Sequence, residues 1–189
     1  MYQALVLLAS VALILLDQFT KLLALAFLQD GPFVIIPGVL EFHFTTNPGV
    51  AFGLFPGNRW IFIGLTSVVL LAILVILLSG KVRQHRMVTI SGILIIAGGM
   101  GNLIDRIFRH EVVDFIYFKL IDFPIFNLAD CFVVAGAVLL LVFYLFLYND
   151  EKAVKEPAAA AEKTETAEGE ASNEDGTPAP SGGEDGGKA

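Results

Sequence analysis

Four apolar runs, each long enough to cross a bilayer, fill the first 148 residues of this 189-residue chain. Trp60 to Gly80, Met87 to Ile104 and Cys131 to Asn149 contain no charged residue. Each matches the roughly 20 residues that a helix needs to cross about 30 Å of hydrocarbon. The first run, Met1 to Leu28, is broken by Asp17, Gln18 and Lys21, so it predicts a helix with a polar upper third. A charge inside hydrocarbon costs several kcal/mol or finds a partner, and such residues point to a functional site. The expected fold is therefore an all-α membrane protein of four transmembrane helices with a small extracytoplasmic β-sheet.

Composition sharpens this. The hydrophobic share is 56% and the mean hydropathy +0.73, above the apolar share of about 45–50% usual in soluble domains. The net charge of -7 is not spread evenly: residues 1–148 hold eight acids and eight bases, and residues 149–189 hold the remaining eleven acids and four bases. That divides the chain into a membrane domain, 1–150, and an acidic tail, 151–189. The tail is rich in Ala, Glu, Gly, Pro, Ser and Thr, too poor in large apolar residues to offset its ordering entropy, and is expected to be disordered. A lone cysteine, Cys131, excludes an internal disulfide, and no Cys/His spacing suggests a metal site. Ala24-Leu25-Ala26 resembles a cleavage site, but the start of the chain lacks Lys or Arg and Asp17 and Lys21 interrupt the apolar stretch, against a signal peptide.

Orientation follows from the loops. Lys81, Arg83 and Arg86 lie between runs two and three, and Lys152 and Lys155 follow run four; Arg59, Arg109 and Lys119 lie on the other side. The bias predicts both termini in the cytoplasm. With that parity Asp17 and Lys21 on run one, Asn102, Asp105 and Arg106 closing run three, and Asp130 opening run four converge near the outer leaflet.

Two further segments face the same side. Residues 33–46 are β-branched and aromatic with a Pro37-Gly38 turn, which predicts a hairpin or small sheet, an outer β segment of about 33–53 that could lie on the membrane surface. Val112-Val113-Asp114-Phe115-Ile116 presents Asp114 from an apolar extended stretch. Asp114 and Asp130 are the expected catalytic pair. Two neighbouring carboxylates repel, so one keeps its proton while the other stays ionised, and the two can then polarise a carbonyl and activate water. Asn102 shares a helix face with Asp105, and Asn47-Pro48-Gly49 forms a turn able to present polar groups to the same place. Asp17 and Lys21, at i and i+4, read either as a buried ion pair or as substrate contacts, and Asp105 and Arg106 as anchors or scaffolding. His43 and Cys131 read as structural. Ser67 and Ser91 have no nearby His or Lys partner in sequence, which disfavours a serine peptidase.

Five segments in order carry a resemblance: Asp17-Gln18-Phe19-Thr20-Lys21, Thr46-Asn47-Pro48-Gly49-Val50-Ala51-Phe52-Gly53, Gly98-Gly99-Met100-Gly101-Asn102-Leu103-Ile104-Asp105-Arg106, Val112-Val113-Asp114-Phe115 and Phe126-Asn127-Leu128-Ala129-Asp130. The chain resembles the lipoprotein signal peptidase family, signal peptidase II. The resemblance implies an aspartic membrane endopeptidase that cleaves diacylglyceryl-modified prolipoproteins on the amino side of the lipidated cysteine, in the bacterial inner membrane. It implies Asp114 and Asp130 as the dyad, with Asn47, Gly49, Asn102, Asp105, Arg106, Asn127, Asp17 and Lys21 binding substrate or supporting the site. No cofactor, metal or nucleic-acid partner is expected; the partners would be lipid-modified prolipoproteins and membrane lipids. The rival reading is a small membrane transporter or proton pathway, since intramembrane carboxylates also relay protons. That alternative predicts polar residues through the membrane depth and broken helices.

Overall fold

The computed structural model describes residues 1–48, 59–82 and 85–148. Gly49, residues 50–53 of the expected β segment, Arg83 and the tail 151–189 lie outside the described residues. Four helices are long and apolar enough to span a membrane: Tyr2–Phe27, Trp60–Leu78, Arg86–Phe108 and Leu128–Leu147. The compact unit Met1–Phe143 contains α1 (Tyr2–Phe27), α2 (Arg59–Leu78), α3 (Arg86–Phe108), α4 (Leu128–Val142) and all three strands.

Helix α3 is central, packing against α1, α2 and α4. Its apolar stretch is 39% buried, against 11% for those of α2 and α4, whose remaining apolar faces are open to lipid. Small residues make this possible. A Cβ on Gly98 would meet the Ala129 carbonyl and Val133 of α4, and one on Gly101 would meet the Asp17 carboxylate of α1. Gly136 of α4 similarly abuts Ser91 and Ile95. Membrane helices gain little from hydrophobic burial against each other, so such close backbone approach is their main source of packing energy. Deeper in the bundle Val6, Leu77 and Ile96 bring α1, α2 and α3 together.

Strands β1 (Phe33–Ile36), β2 (Leu40–Asn47) and β3 (Val112–Phe118) form an antiparallel sheet in that order. Pro37-Gly38 turns the chain between the first two, with Gly38 at φ +73, a value glycine adopts without penalty. The register sets Thr45 opposite Asp114 and Asn47 opposite Val112. Ala24 of α1 packs with Val113 and Phe115, and Phe42 meets Phe115 edge-on at 5.8 Å, which anchors the sheet on the end of α1.

The structure fixes three details that the sequence left open. Helix α3 runs four residues past Ile104, enclosing Asp105 and Arg106, because Asp105 finds cations on either side and has no reason to end the helix. Helix α4 starts at Leu128, three residues before Cys131, because Asn127 and Asp130 form a capping box that satisfies the first backbone donors. The segment around Asp114 is a third strand of the sheet, its partner β2 lying more than sixty residues earlier in the chain.

Candidate active site

Asp114 projects from the middle of β3 and Asp130 from the first turn of α4. The chain between them returns along β3, where Phe126 exchanges backbone hydrogen bonds with Ile116 at 2.8 and 3.1 Å. That bridge fixes Asn127 beside Asp114. The Asn127 amide donates from Nδ2 to Asp114 Oδ1 at 2.6 Å, its backbone N–H donates to Asp130 Oδ2 at 3.2 Å, and its Oδ1 accepts from the Asp130 N–H at 3.0 Å. One asparagine therefore holds both aspartates.

Asn102 completes the link. Its Nδ2 donates to Asp130 Oδ1 at 2.8 Å, while its Oδ1 accepts from Lys21 Nζ at 2.9 Å and from Asn127 Nδ2 at 3.1 Å. Lys21 also reaches Asp17 Oδ2 at 3.0 Å and Asp105 Oδ2 at 2.9 Å. Those three acceptors match the three donors of an ammonium. Lys21, Asp17 and Asp105 are fully buried, so of the two sequence readings of Asp17 and Lys21 the geometry favours the ion pair.

The Asp114 carboxyl is pushed up to about 6, chiefly by burial and also by the neighbouring Asp130 carboxylate, against the opposing pull of hydrogen bonds from Asn127 and Asn47 and of the Lys21 charge. Asn47 thus reaches the site from the last position of β2. Arg106 donates back to the Asn102 carbonyl at 3.2 Å and lies near both aspartates. His43 stands apart: it meets Tyr117 edge-on and lines a recess of about 320 Å³ with Asp122, Phe123, Pro124 and Ile125, none of which belongs to the cluster. Cys131, beside Asp130, is a half-buried free thiol. Among the described residues, no group of three or more His, Cys, Asp or Glu side chains is arranged to hold a metal ion.

Gln18 and Arg109 are members of the cluster that the sequence reading passed over. Gln18 donates to Asp17 and Asp105 at 3.2 Å each and to the Gly101 carbonyl at 3.1 Å. Arg109 donates to Gln18 Oε1 at 2.8 Å and pairs with Asp105. The signal was present: Asp105 and Arg109 are i and i+4 on one helix, like Asp17 and Lys21.

These features define a multi-pass membrane protein whose polar site is assembled from three helices and two strands. The sequence profile of the family described as Signal peptidase (SPase) II matches residues 9–146. A lipoprotein signal peptidase of Halothermothrix orenii is 44% identical over 140 residues, covering 74% of this chain and 92% of that one. Another, of Brevibacillus brevis, is 40% identical over 139 residues, covering 71% and 91%. A solved bacterial membrane enzyme superposes with TM-score 0.70 at 30% identity, covering 75% of this chain and 88% of its own. The chain belongs to the signal peptidase II family and is a membrane protease.

Proposed function

We propose that the protein is an aspartic endopeptidase that removes the signal peptide from diacylglyceryl-modified prolipoproteins, cutting on the amino side of the lipidated cysteine, with Asp114 and Asp130 as the dyad. The observation that carries this reading is Asn127, which hydrogen-bonds one carboxylate through its side chain and the other through its backbone. Two carboxylates held this way, one of them with its pKa raised to about 6, suit acid and base roles at one scissile bond.

Asp114, the more strongly buried, is the acid: its raised pKa keeps the protonated form accessible near neutral pH, and that form donates its proton to the carbonyl oxygen of the substrate. Asp130 is the base; its carboxylate accepts hydrogen bonds from the Asn102 side chain and the Asn127 backbone, which aim it at the site. Water attacks the carbonyl carbon as Asp130 removes one of its protons, giving a tetrahedral diol. Asp130 then passes that proton to the departing nitrogen, the C–N bond breaks, and Asp114 recovers its proton from the diol hydroxyl. Both residues end as they began.

The substrate keeps its acyl chains in the outer leaflet, so the reading sets the dyad at the extracytoplasmic end of the bundle, in the bacterial inner membrane, with both termini inside. Asn47 and Arg106 are assigned to the substrate backbone, whereas Asp17, Lys21, Asp105, Asn102 and Asn127 support the pair; Gly49 is assigned to substrate binding with Asn47. The test is cleavage of a lipidated prolipoprotein in detergent without any ion gradient. Asp114→Asn and Asp130→Asn each should abolish cleavage while the protein accumulates in membranes at normal levels. Processing by either variant at the parent rate would overturn the dyad, and a requirement for a gradient would revive a transport role.

A further inference from the structure

Behind the two aspartates lies a second pair of carboxylates that the hydrolytic steps do not use. Asp17 Oδ1 accepts from the backbone N–H of Ala129 at 2.9 Å. Asp105 Oδ2 accepts from the backbone N–H of Val113 at 3.2 Å. Ala129 immediately precedes Asp130, and Val113 immediately precedes Asp114. Each buried carboxylate therefore grips the peptide group one residue ahead of one member of the proposed dyad. The two grips are joined: the same ammonium, Lys21 Nζ, contacts both carboxylates and the Asn102 that holds Asp130.

We propose that Asp17, Lys21 and Asp105 form a buried yoke that sets the spacing of the dyad, with Asp17 positioning Asp130, Asp105 positioning Asp114, and Lys21 tying the two together. This rests on the dyad reading above.

Three observations carry it. The parts come from separate elements, α1 and α3, and grip two others, α4 and β3, so nothing local in the chain dictates the match. All three side chains are fully buried, and replacing such a charged cluster by apolar residues is often neutral or stabilising for a fold; packing needs alone do not account for it. The bonds are also directed. Helix α4 begins at Leu128, so Ala129 sits in its first turn, where backbone donors lack partners within the helix. Asp17 satisfies one of them from another helix. Val113 is opposite Thr46 in the ladder, yet its N–H is turned to Asp105, which pins β3 to the end of α3. Gln18 bonds both carboxylates and Arg109 pairs with Asp105, which leaves two anions balanced by two cations. A displacement of about 1 Å in a catalytic group costs on the order of a hundredfold in rate, so a yoke of this kind acts on turnover more than on binding.

The experiment uses the full chain in detergent micelles with a peptide substrate carrying a diacylglyceryl-cysteine. Kinetics are combined with carboxyl ¹³C titration of Asp114 and Asp130. Asp105→Leu should lower kcat about a hundredfold, leave KM within a small factor, and move the titration of Asp114 more than that of Asp130. Asp17→Leu should do the reverse, moving Asp130 more than Asp114. Asp17→Asn and Asp105→Asn keep an acceptor oxygen and should recover part of the lost kcat, and they carry the same comparison if the Leu variants do not accumulate. A general loss of folded protein would not sort the two titrations by residue. Variants that merely lower the amount of enzyme, with kcat and both titrations as in the parent, overturn the yoke; so do variants that shift both aspartates alike. Cleavage by Asp114→Asn or Asp130→Asn would instead remove the dyad itself, a result these variants cannot mimic.

Discussion

Asp114 is the residue at which stability and proposed chemistry pull in opposite directions. Its carboxyl titrates near 6 in the folded protein, against an ordinary value of 3.8. Between those two values the unfolded chain has released the proton and the folded chain still holds it, so folding binds a proton and stability falls as pH rises across the window. The full span corresponds to about 3 kcal/mol, an order-of-magnitude figure. Asp114→Asn keeps an acceptor for the Asn127 amide and removes the charge. Its thermal midpoint in detergent should equal or exceed that of the parent at pH 8, with the advantage shrinking towards pH 4. A variant less stable than the parent at pH 8 would show that ionised Asp114 is not disfavoured in the fold. At the same scale, Asn127→Ala removes the α4 cap, worth about 1 kcal/mol, and the only side chain that contacts Asn102, Asp114 and the Asp130 backbone together among the described residues. It should lose most activity while folding, read as kcat per folded molecule; unchanged kcat would mean that Asn127 is a cap alone.

At the scale of elements, the glycines of Gly98-Gly99-Met100-Gly101 explain why a membrane helix gives up side chains where three helices cross. An added Cβ at Gly98 is opposed by the backbone carbonyl of Ala129, one residue from Asp130, and cannot be relieved by a rotamer change. Gly98→Ala should therefore push α4 from α3, lower the thermal midpoint and reduce kcat, whereas Gly64→Ala on α2, where nothing lies within 4 Å, should do neither. Equal behaviour of the two would mean that α3 and α4 are not held at this distance. The helices themselves were legible in the sequence because uncharged runs of their length have few other uses. The hairpin of β1 and β2 was legible from its β-branched and aromatic residues and Pro37-Gly38. The place of β3 was not, because its partner is remote in the chain and no local pattern encodes a pairing such as Thr45 with Asp114. Asp114, Asp130, Asn102 and Lys21 stood out as polar residues among apolar ones. Gln18 and Arg109 did not, because side chains at a membrane boundary read as ordinary interfacial residues until their partners are known.

For the whole molecule the central question is which way round it sits. The connection between α2 and α3 carries Lys81 and Arg86, and the chain after α4 carries Lys152 and Lys155. Cytoplasmic loops favour Lys and Arg during insertion, so that end of the bundle should face inward. The proposed dyad, at the opposite ends of α3 and α1, would then face the leaflet in which the proposed substrate is anchored. Only one orientation gives the enzyme access to such a bond, so topology and chemistry stand or fall together. The check is labelling by a membrane-impermeant maleimide in intact cells, with Cys131 first changed to Ser so that the introduced thiol is the only one. His110→Cys, in the connection from α3 to β3, should label directly. Ser79→Cys, at the α2–α3 connection, should label only after the membrane is opened. The reverse pattern would put the carboxylates on the cytoplasmic side, where a lipidated precursor in the outer leaflet cannot present its cleavage site, and the proposed substrate would have to be abandoned even if both aspartates proved essential.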